Sequence, residues 1–117
     1  MGNPNLEELI QLHANLCSAL SDSSRIMILY ALAERPYTVN ELAQAIGAAQ
    51  PATSRHLRIL REKGLVFANR QGLTMEYRLA DPRLIEALDL LRQILRDSIS
   101  RRANLLQDVA LVDYQAG

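Results

Sequence analysis

Residues 38–66, TVNELAQAIGAAQPATSRHLRILREKGLV, form the stretch that decides the fold. Apolar residues recur at helical spacing in its first part, and Gly47 stands where a residue in the left-handed conformation would end a helix. After a three-residue turn, Pro51 suits the first position of a second helix, for which Gly64 provides the stop. The spacing therefore predicts a helix-turn-helix over residues 38–64.

The second of these helices has two chemically different faces. Thr53, Leu57 and Leu60 are three and four residues apart, which predicts a buried face. The opposite face carries polar and basic side chains, namely Ser54, Arg55, Arg58 and Arg61. A cationic helix face with many hydrogen-bond donors is typical of DNA recognition.

Charge is distributed unevenly along the chain. The 117 residues carry 13 basic and 13 acidic side chains, so the formal net charge is zero. The net charge is −3 over residues 1–50, +4 over residues 51–78 and −1 over residues 79–117. The basic segment coincides with the second helix and the residues immediately after it, which favours nucleic-acid binding there.

Two β-prone runs, residues 65–69 and 74–79, come after the helix-turn-helix, and a glycine lies between them. They predict a β-hairpin that packs one face on the core and forms a wing over residues 65–79. Arg70 and Gln71 are the predicted tip residues that would contact DNA. The alternative is a charged loop that is simply solvated.

These motifs resemble one known family. The stretch 38–66 is similar to the helix-turn-helix of the ArsR family of bacterial winged-helix repressors. Upstream, residues 19–32, ALSDSSRIMILYAL, are similar to the family's ALADPTRLRIL segment. Downstream, residues 73–81, LTMEYRLAD, resemble the family's wing and wing exit. The resemblance covers roughly residues 9–97, in the family's order and spacing. It implies a mainly helical winged helix-turn-helix with a small β-hairpin, and a homodimeric repressor as the function.

Residue chemistry indicates how DNA would be read. Near the start of the second helix, Gln50, Ser54 and Arg55 have the donors and acceptors that recognise base edges. Further along, Arg58, Arg61 and Lys63 are expected to contact phosphates. His56 adjoins the exposed face, where a phosphate, a base or the neighbouring helix are all open as partners.

Two helices are predicted before the helix-turn-helix. The first spans residues 5–20 with Asn5 as its N-cap, and we expect it to bury one stripe: Leu6, Leu9, Ile10, His13, Leu16, Cys17 and Leu20. The second has Ser21 or Asp22 as its predicted N-cap, and its predicted inward face is Ile26, Leu29, Tyr30 and Ala33. Arg25 is expected in solvent or in an internal salt bridge.

A long helix is predicted over residues 81–112, with Asp81 as N-cap and Pro82 at the first position. Its apolar positions are Leu84, Ile85, Leu88, Leu91, Ile94, Leu95, Ile99, Leu105, Leu106 and Val109. Because this stripe is too long for a domain of this size to cover, we expect an isologous dimer through the first and last helices. An intramolecular core is the alternative, and the two are compatible.

Composition narrows the class of protein. The chain has the length of one small domain, residues 1–117, and it lacks a membrane-length apolar run or the pattern of a signal peptide, so a cytoplasmic protein is expected. Its single cysteine agrees with a reducing compartment. With two histidines, one cysteine and no triad or phosphate loop, an enzyme is not expected.

Many relatives in the resembled family sense metals, but this sequence departs from their ligand sets. The positions that match one thiolate site are Thr38 and Asn40, and those that match a second, carboxylate–histidine site are Asp81, Arg83, Ile94 and Asp97. No cofactor or metal is therefore predicted. His13 and Cys17, four residues apart on one helix, remain a weak metal or thiol-sensing candidate, against the alternative that both are packing residues.

The expected partners are operator DNA and a second copy of the chain. A small-molecule effector or no effector fits the sequence, and a thiol-reactive effector would depend on the weak candidates His13 and Cys17. The rival function is a winged helix that binds protein instead of DNA. The basic segment 51–78 favours DNA, because such modules commonly lack a basic reading face.

Overall fold

Helices and a small sheet alternate along the chain. The computed structural model describes residues 5–116, with side chains for residues 5–107. The elements are α1 (Leu6–Ala19), α2 (Ser23–Glu34), β1 (Tyr37–Thr38), α3 (Val39–Ile46), α4 (Gln50–Glu62), β2 (Val66–Gln71), β3 (Thr74–Leu79) and α5 (Arg83–Ala116). The predicted fold class, mainly helical with a β-hairpin wing, is confirmed.

The helix-turn-helix is formed by α3 and α4. Thr38 caps α3 in a capping box with Glu41, since each side chain accepts a hydrogen bond from the other residue's backbone N–H. Gly47 ends α3 in the left-handed conformation, with φ of 68°, as expected. Helix α4 begins at Gln50, so Pro51 occupies its second position and not the first. Either position suits proline because neither N–H has a partner inside the helix.

The core lies where α2, α3 and α4 meet. Its fully buried large side chains are Ile28, Leu29, Leu42, Leu57, Leu60 and Thr53. The predicted inward face of α4 is thus confirmed. That of α2 is only partly correct: Leu29 is fully buried and Ile26 and Tyr30 are half-buried, but Ala33 is exposed, and Ile28 and Leu32, which were not predicted, are buried. Helix α2 is apolar on nearly every side, so its sequence pattern does not determine which side faces inward.

The sheet has three strands in the order β1, β3, β2. Strand β1 was not predicted from the sequence; it pairs antiparallel with β3, with Tyr37 opposite Tyr77. Two residues are too few to produce an alternating pattern. The strand joins the wing to the start of α3.

The wing is a tighter hairpin than predicted. Its strands pair from Val66 opposite Leu79 to Gln71 opposite Thr74, which leaves Gly72 and Leu73 as the turn. Gly72 has φ of 63°, and Leu73 has negative φ, as in a type II′ turn. The predicted loop, residues 70–73, is therefore too long by its first two residues, because Arg70 and Gln71 lie in β2.

Helix α1 is capped as predicted, because the Asn5 side chain accepts the backbone N–H of Glu8 at 2.7 Å. Its expected buried stripe is wrong for the single chain. Leu6, Ile10 and Cys17 are exposed, and Ala19 is the residue of α1 that is buried. The helix is held near its C-terminal end, so most of its apolar face has no cover from the described residues of its own unit, Met1–Pro82.

The chain divides into two compact units, Met1–Pro82 and Arg83–Gly117. The second unit is α5, whose 34 residues make a helix of about 51 Å. It begins one residue after Pro82 and extends past residue 112, unlike the prediction. Its exposed apolar side chains are Leu90, Leu91, Ile94, Leu95, Ile99, Leu105 and Leu106. Val109, part of the predicted stripe, lies outside the described side chains. None of the described helices is long and apolar enough to cross a membrane.

Candidate DNA interface

The outer face of α4 carries the predicted basic row. Ser54, Arg55, Arg58 and Arg61 are all exposed, while the opposite face is buried against the core. Within residues 5–107, the three arginines have no ion-pair or hydrogen-bond partner. Their guanidinium groups are therefore available to an anion, and the helix that carries them is fixed by its own core contacts.

His56 lies apart from this row. Its side chain is 18% exposed, Nδ1 lies 3.2 Å from Nη1 of Arg25, and Nε2 lies 4.0 Å from Oδ1 of Asp22. Of the three partners left open by the sequence, the structure places His56 against the neighbouring helix α2.

Arg25 is buried, and its expected placement in solvent or in a salt bridge is wrong. Its Nε donates to the Ala19 carbonyl at 2.7 Å, and its Nη2 donates to the Ser18 carbonyl at 3.1 Å. Both carbonyls belong to the last turn of α1, where the regular i+4 helical donors run out. The Ser18 carbonyl also accepts the Ser21 hydroxyl at 2.8 Å. Arg25 therefore caps α1 and joins it to α2 and, through His56, to α4.

Asp22 begins this cluster as the N-cap of α2. Its carboxylate accepts the backbone N–H of Ser24 at 2.8 Å. That hydrogen bond lowers the pKa of Asp22 below its ordinary value, and the positive charge of the nearby Arg25 acts in the same direction. The charged carboxylate is thus the favoured form at the start of α2.

The end of α4 is tied to α1. Lys63, expected to contact phosphate, donates from Nζ to the Asn15 side chain at 3.3 Å. This contact holds the last turn of α4 against the middle of α1. Because Lys63 is engaged in this contact, Arg61 is the exposed cation nearest the C-terminal end of α4.

The wing carries two of the predicted contact residues. Arg70 and Gln71 are exposed, but they lie in β2 and not in the turn. The outermost residue is Leu73, which is 98% exposed and which was not among the predicted contact residues. The available signal was an aliphatic residue beside a turn glycine, a position where polar residues are usual.

A groove of about 290 Å³ separates the wing from the helix-turn-helix. Its lining residues are Thr38, Val39, Asn40, Gln50, Thr74, Met75 and Tyr77. Most of these carry neutral hydrogen-bonding groups. Across this groove, Gln50 at the start of α4 lies next to the hairpin face that carries Met75 and Tyr77.

Metal ligands do not cluster in the described part of the chain: no three His, Cys, Asp or Glu side chains there could hold one ion together. His13 and Cys17 are both exposed on α1.

Comparison with known proteins identifies the family. Residues 22–67 match the model of the bacterial regulatory proteins of the arsR family. The sequence is 43% identical over 76 residues to the HTH-type transcriptional regulator NmtR of Mycobacterium tuberculosis, a match that covers 65% of this chain and 63% of NmtR. It is 36% identical over 104 residues to the HTH-type transcriptional regulator Rv0081 of the same organism, covering 88% of this chain and 91% of the relative.

This chain belongs to the ArsR family. The crystal structure of Rv0081 superposes with a TM-score of 0.74 at 34% identity, covering 87% of this chain and 99% of that one. The homodimeric winged helix-turn-helix DNA-binding domain of Mb0332 from Mycobacterium bovis superposes with a TM-score of 0.72 at 27% identity, covering 85% and 94%. The family is regulatory and not enzymatic, and the match to NmtR spans less than two thirds of that protein.

Proposed function

We propose that this ArsR-family protein is a homodimeric transcriptional repressor that binds operator DNA through α4 and the wing. The observation that carries the proposal is the row of exposed arginines on α4 that have no acidic partner among the described residues. Unpaired guanidinium groups on a rigid helix bind phosphates and base edges without first breaking internal ion pairs. A dimer seated on a promoter blocks transcription by occupying the duplex, and such a protein acts in the cytoplasm.

In this proposal α4 enters the major groove with its N-terminal end leading. Gln50, Ser54 and Arg55 meet base edges, with Arg55 suited to guanine and Gln50 to adenine. Arg58 and Arg61 lie further along the same face and contact phosphates. His56 takes a positioning role, because it is held by Arg25 and lies apart from this row.

The groove between α4 and the wing has the composition expected where a phosphodiester strand crosses the protein. Side-chain amide groups such as that of Asn40 donate to phosphate oxygens without adding charge. A strand in this groove would place α4 on one side and the hairpin on the other, so the wing would lie in the adjacent minor groove. Arg70 and Gln71 then contact that groove or its phosphates.

The apolar faces of α1 and α5 support dimerisation. Leu6 and Ile10 on α1, and Leu91 and Leu95 on α5, are all at least half exposed in the single chain. Exposed apolar rows of this length mark an interface. Because Mb0332, a relative of the same fold, is homodimeric, a second copy of the chain is the proposed partner.

The experiment is a DNA-binding titration. The wild-type protein selects duplexes from a random pool, and fluorescence anisotropy then measures its affinity for the selected duplex and for a scrambled one across salt concentrations. We expect tighter binding to the selected duplex and a steep loss of affinity as salt increases. Failure to bind any duplex in a salt-dependent way would refute the proposal and favour the protein-binding winged helix.

A further inference from the structure

The tip of the wing presents an aliphatic side chain to solvent. Leu73 is 98% exposed, the highest value among the large apolar residues described. The turn does not depend on it. Gly72 supplies the positive φ, the strands close at the Gln71–Thr74 pair, and the Thr74 hydroxyl donates to the Gln71 carbonyl at 3.0 Å. Turn chemistry alone therefore leaves Leu73 unexplained.

A cation accompanies Leu73 at the tip. Arg70 donates from Nε to the Gly72 carbonyl at 3.4 Å, so its guanidinium lies beside the turn. Arg70 is paired with Met75, and paired residues of a hairpin share a face, so Arg70 is on the face that lines the groove next to Gln50. Residues 67–75 contain no acidic side chain. The tip thus combines one apolar group and one positive charge, on the side of the DNA-binding helix.

This combination fits the minor groove of DNA. A narrow minor groove has strong negative potential that attracts arginine, and apolar side chains inserted there unstack flexible base steps and bend the duplex. We propose that Leu73 is a minor-groove wedge, a side chain that inserts between adjacent base pairs of DNA. Arg70 would bind in the same DNA minor groove and hold the wing there. The inference rests on the proposed DNA-binding function.

The proposed wedge would give the protein a second source of DNA sequence preference. Helix α4 reads base edges directly, whereas Leu73 would select for steps that unstack at low cost, chiefly TA and CA/TG. In a dimer the two wings would impose this preference at two symmetric positions outside the helix contacts. Changing those steps to stiffer ones should weaken binding although no hydrogen bond to a base is lost.

The test compares Leu73→Asn, which keeps a turn-compatible residue, with Leu73→Met, which keeps an apolar side chain of similar volume. Each variant is titrated on the duplex selected by the wild type. DNA bending is measured by energy transfer between end labels, and unstacking by 2-aminopurine placed at successive steps. We expect Leu73→Asn to lose about tenfold or more in affinity and to reduce both bending and 2-aminopurine emission, since two wings lose their inserted side chain. Leu73→Met should stay within about threefold of wild type.

The outcomes separate the wedge from the underlying function. If wild type binds but Leu73→Asn binds and bends DNA as wild type does, the wedge is wrong and the proposed function stands. Weaker binding with unchanged bending and 2-aminopurine signal also overturns it, because Leu73 then makes a surface contact only. If wild type binds no duplex, the proposed function itself fails. Circular dichroism confirms that each variant is folded, and Leu73→Ala provides the same comparison if Leu73→Asn is not.

Discussion

Arg25 on α2 and His56 on α4 are joined by a hydrogen bond of 3.2 Å between Nη1 and Nδ1. A guanidinium group has only donors, so Nδ1 of His56 accepts in this hydrogen bond, which places the ring proton on Nε2. That proton faces the Asp22 carboxylate, 4.0 Å away. The contact therefore fixes both the tautomer of His56 and the position of the helix that carries the exposed arginines.

We predict that Arg25→Ala lowers the free energy of unfolding by roughly 2–3 kcal/mol, because the buried Ala19 carbonyl and the Ser18 carbonyl both lose a charged donor. Arg25→Lys should recover little, since an ammonium group cannot span α1 and His56 together. Urea denaturation measures both variants. Arg35→Ala is the control, because Arg35 is exposed and its removal should cost much less. Equal losses for Arg25→Ala and Arg35→Ala would contradict the capping role.

Asp22 should make stability depend on acid pH. Its pKa is lowered in the folded protein, so its charged form adds stability above the ordinary value of 3.8, and this stability is lost as the pH falls through the lower folded pKa. Asp22→Asn keeps an acceptor for the Ser24 N–H but does not titrate. We expect the stability difference between wild type and Asp22→Asn to be constant well above pH 3.8 and to shrink as the pH falls below this value in urea titrations. A difference that stays constant with pH would show that the carboxylate charge contributes nothing.

The amphipathic elements were predictable from sequence, and the connections between them were not. In α4 the residues of the buried face recur three and four apart, and Arg58 and Arg61 each come one position after a buried leucine. Leu57 could therefore be assigned to the buried face and Arg58 to the exposed face. The partner of His56 is 31 residues away in sequence, and no local pattern encodes such a contact. Arg25 shows the same limit: a lone arginine on an apolar helix is expected at the surface, and only the position of the α1 carbonyls explains its burial.

The arginines of α4 should differ in what they contribute to DNA binding. Arg55→Ala should cost about 1–3 kcal/mol on the selected duplex and little on a scrambled one, as expected for a contact with a base. Arg61→Ala should weaken binding to both duplexes and reduce the salt slope by roughly two, one phosphate for each protomer. Anisotropy titrations at several salt concentrations distinguish the two. If both variants lose affinity equally on both duplexes, the division between base and phosphate contacts is wrong.

The apolar row on α5 should determine the oligomeric state. Leu95 is 62% exposed in the single chain, so Leu95→Glu should leave the fold unchanged and place two buried charges at the proposed dimer interface. Sedimentation velocity should show a wild-type dimer at micromolar concentration and a monomer for Leu95→Glu. Gln93→Glu adds the same charge at an exposed polar position two residues away and should remain dimeric. A monomeric wild type would contradict the proposed dimer.

Cys17 is the residue that would make this protein a redox or thiophilic-metal switch, and we predict that it does not act as one. Sensing requires a thiolate favoured by nearby cations, or two thiols that one ligand bridges. Cys17 is exposed on α1 and is the single cysteine of the chain, so a bridge would need the Cys17 of a second copy. Cys17→Ser should therefore leave DNA affinity, and its response to oxidant, arsenite or zinc, the same as in wild type. Anisotropy with and without each reagent measures this, and Cys17→Ala shows whether the serine hydroxyl itself has an effect. If a reagent releases DNA from wild type but not from Cys17→Ser, Cys17 is the sensor and the prediction is wrong.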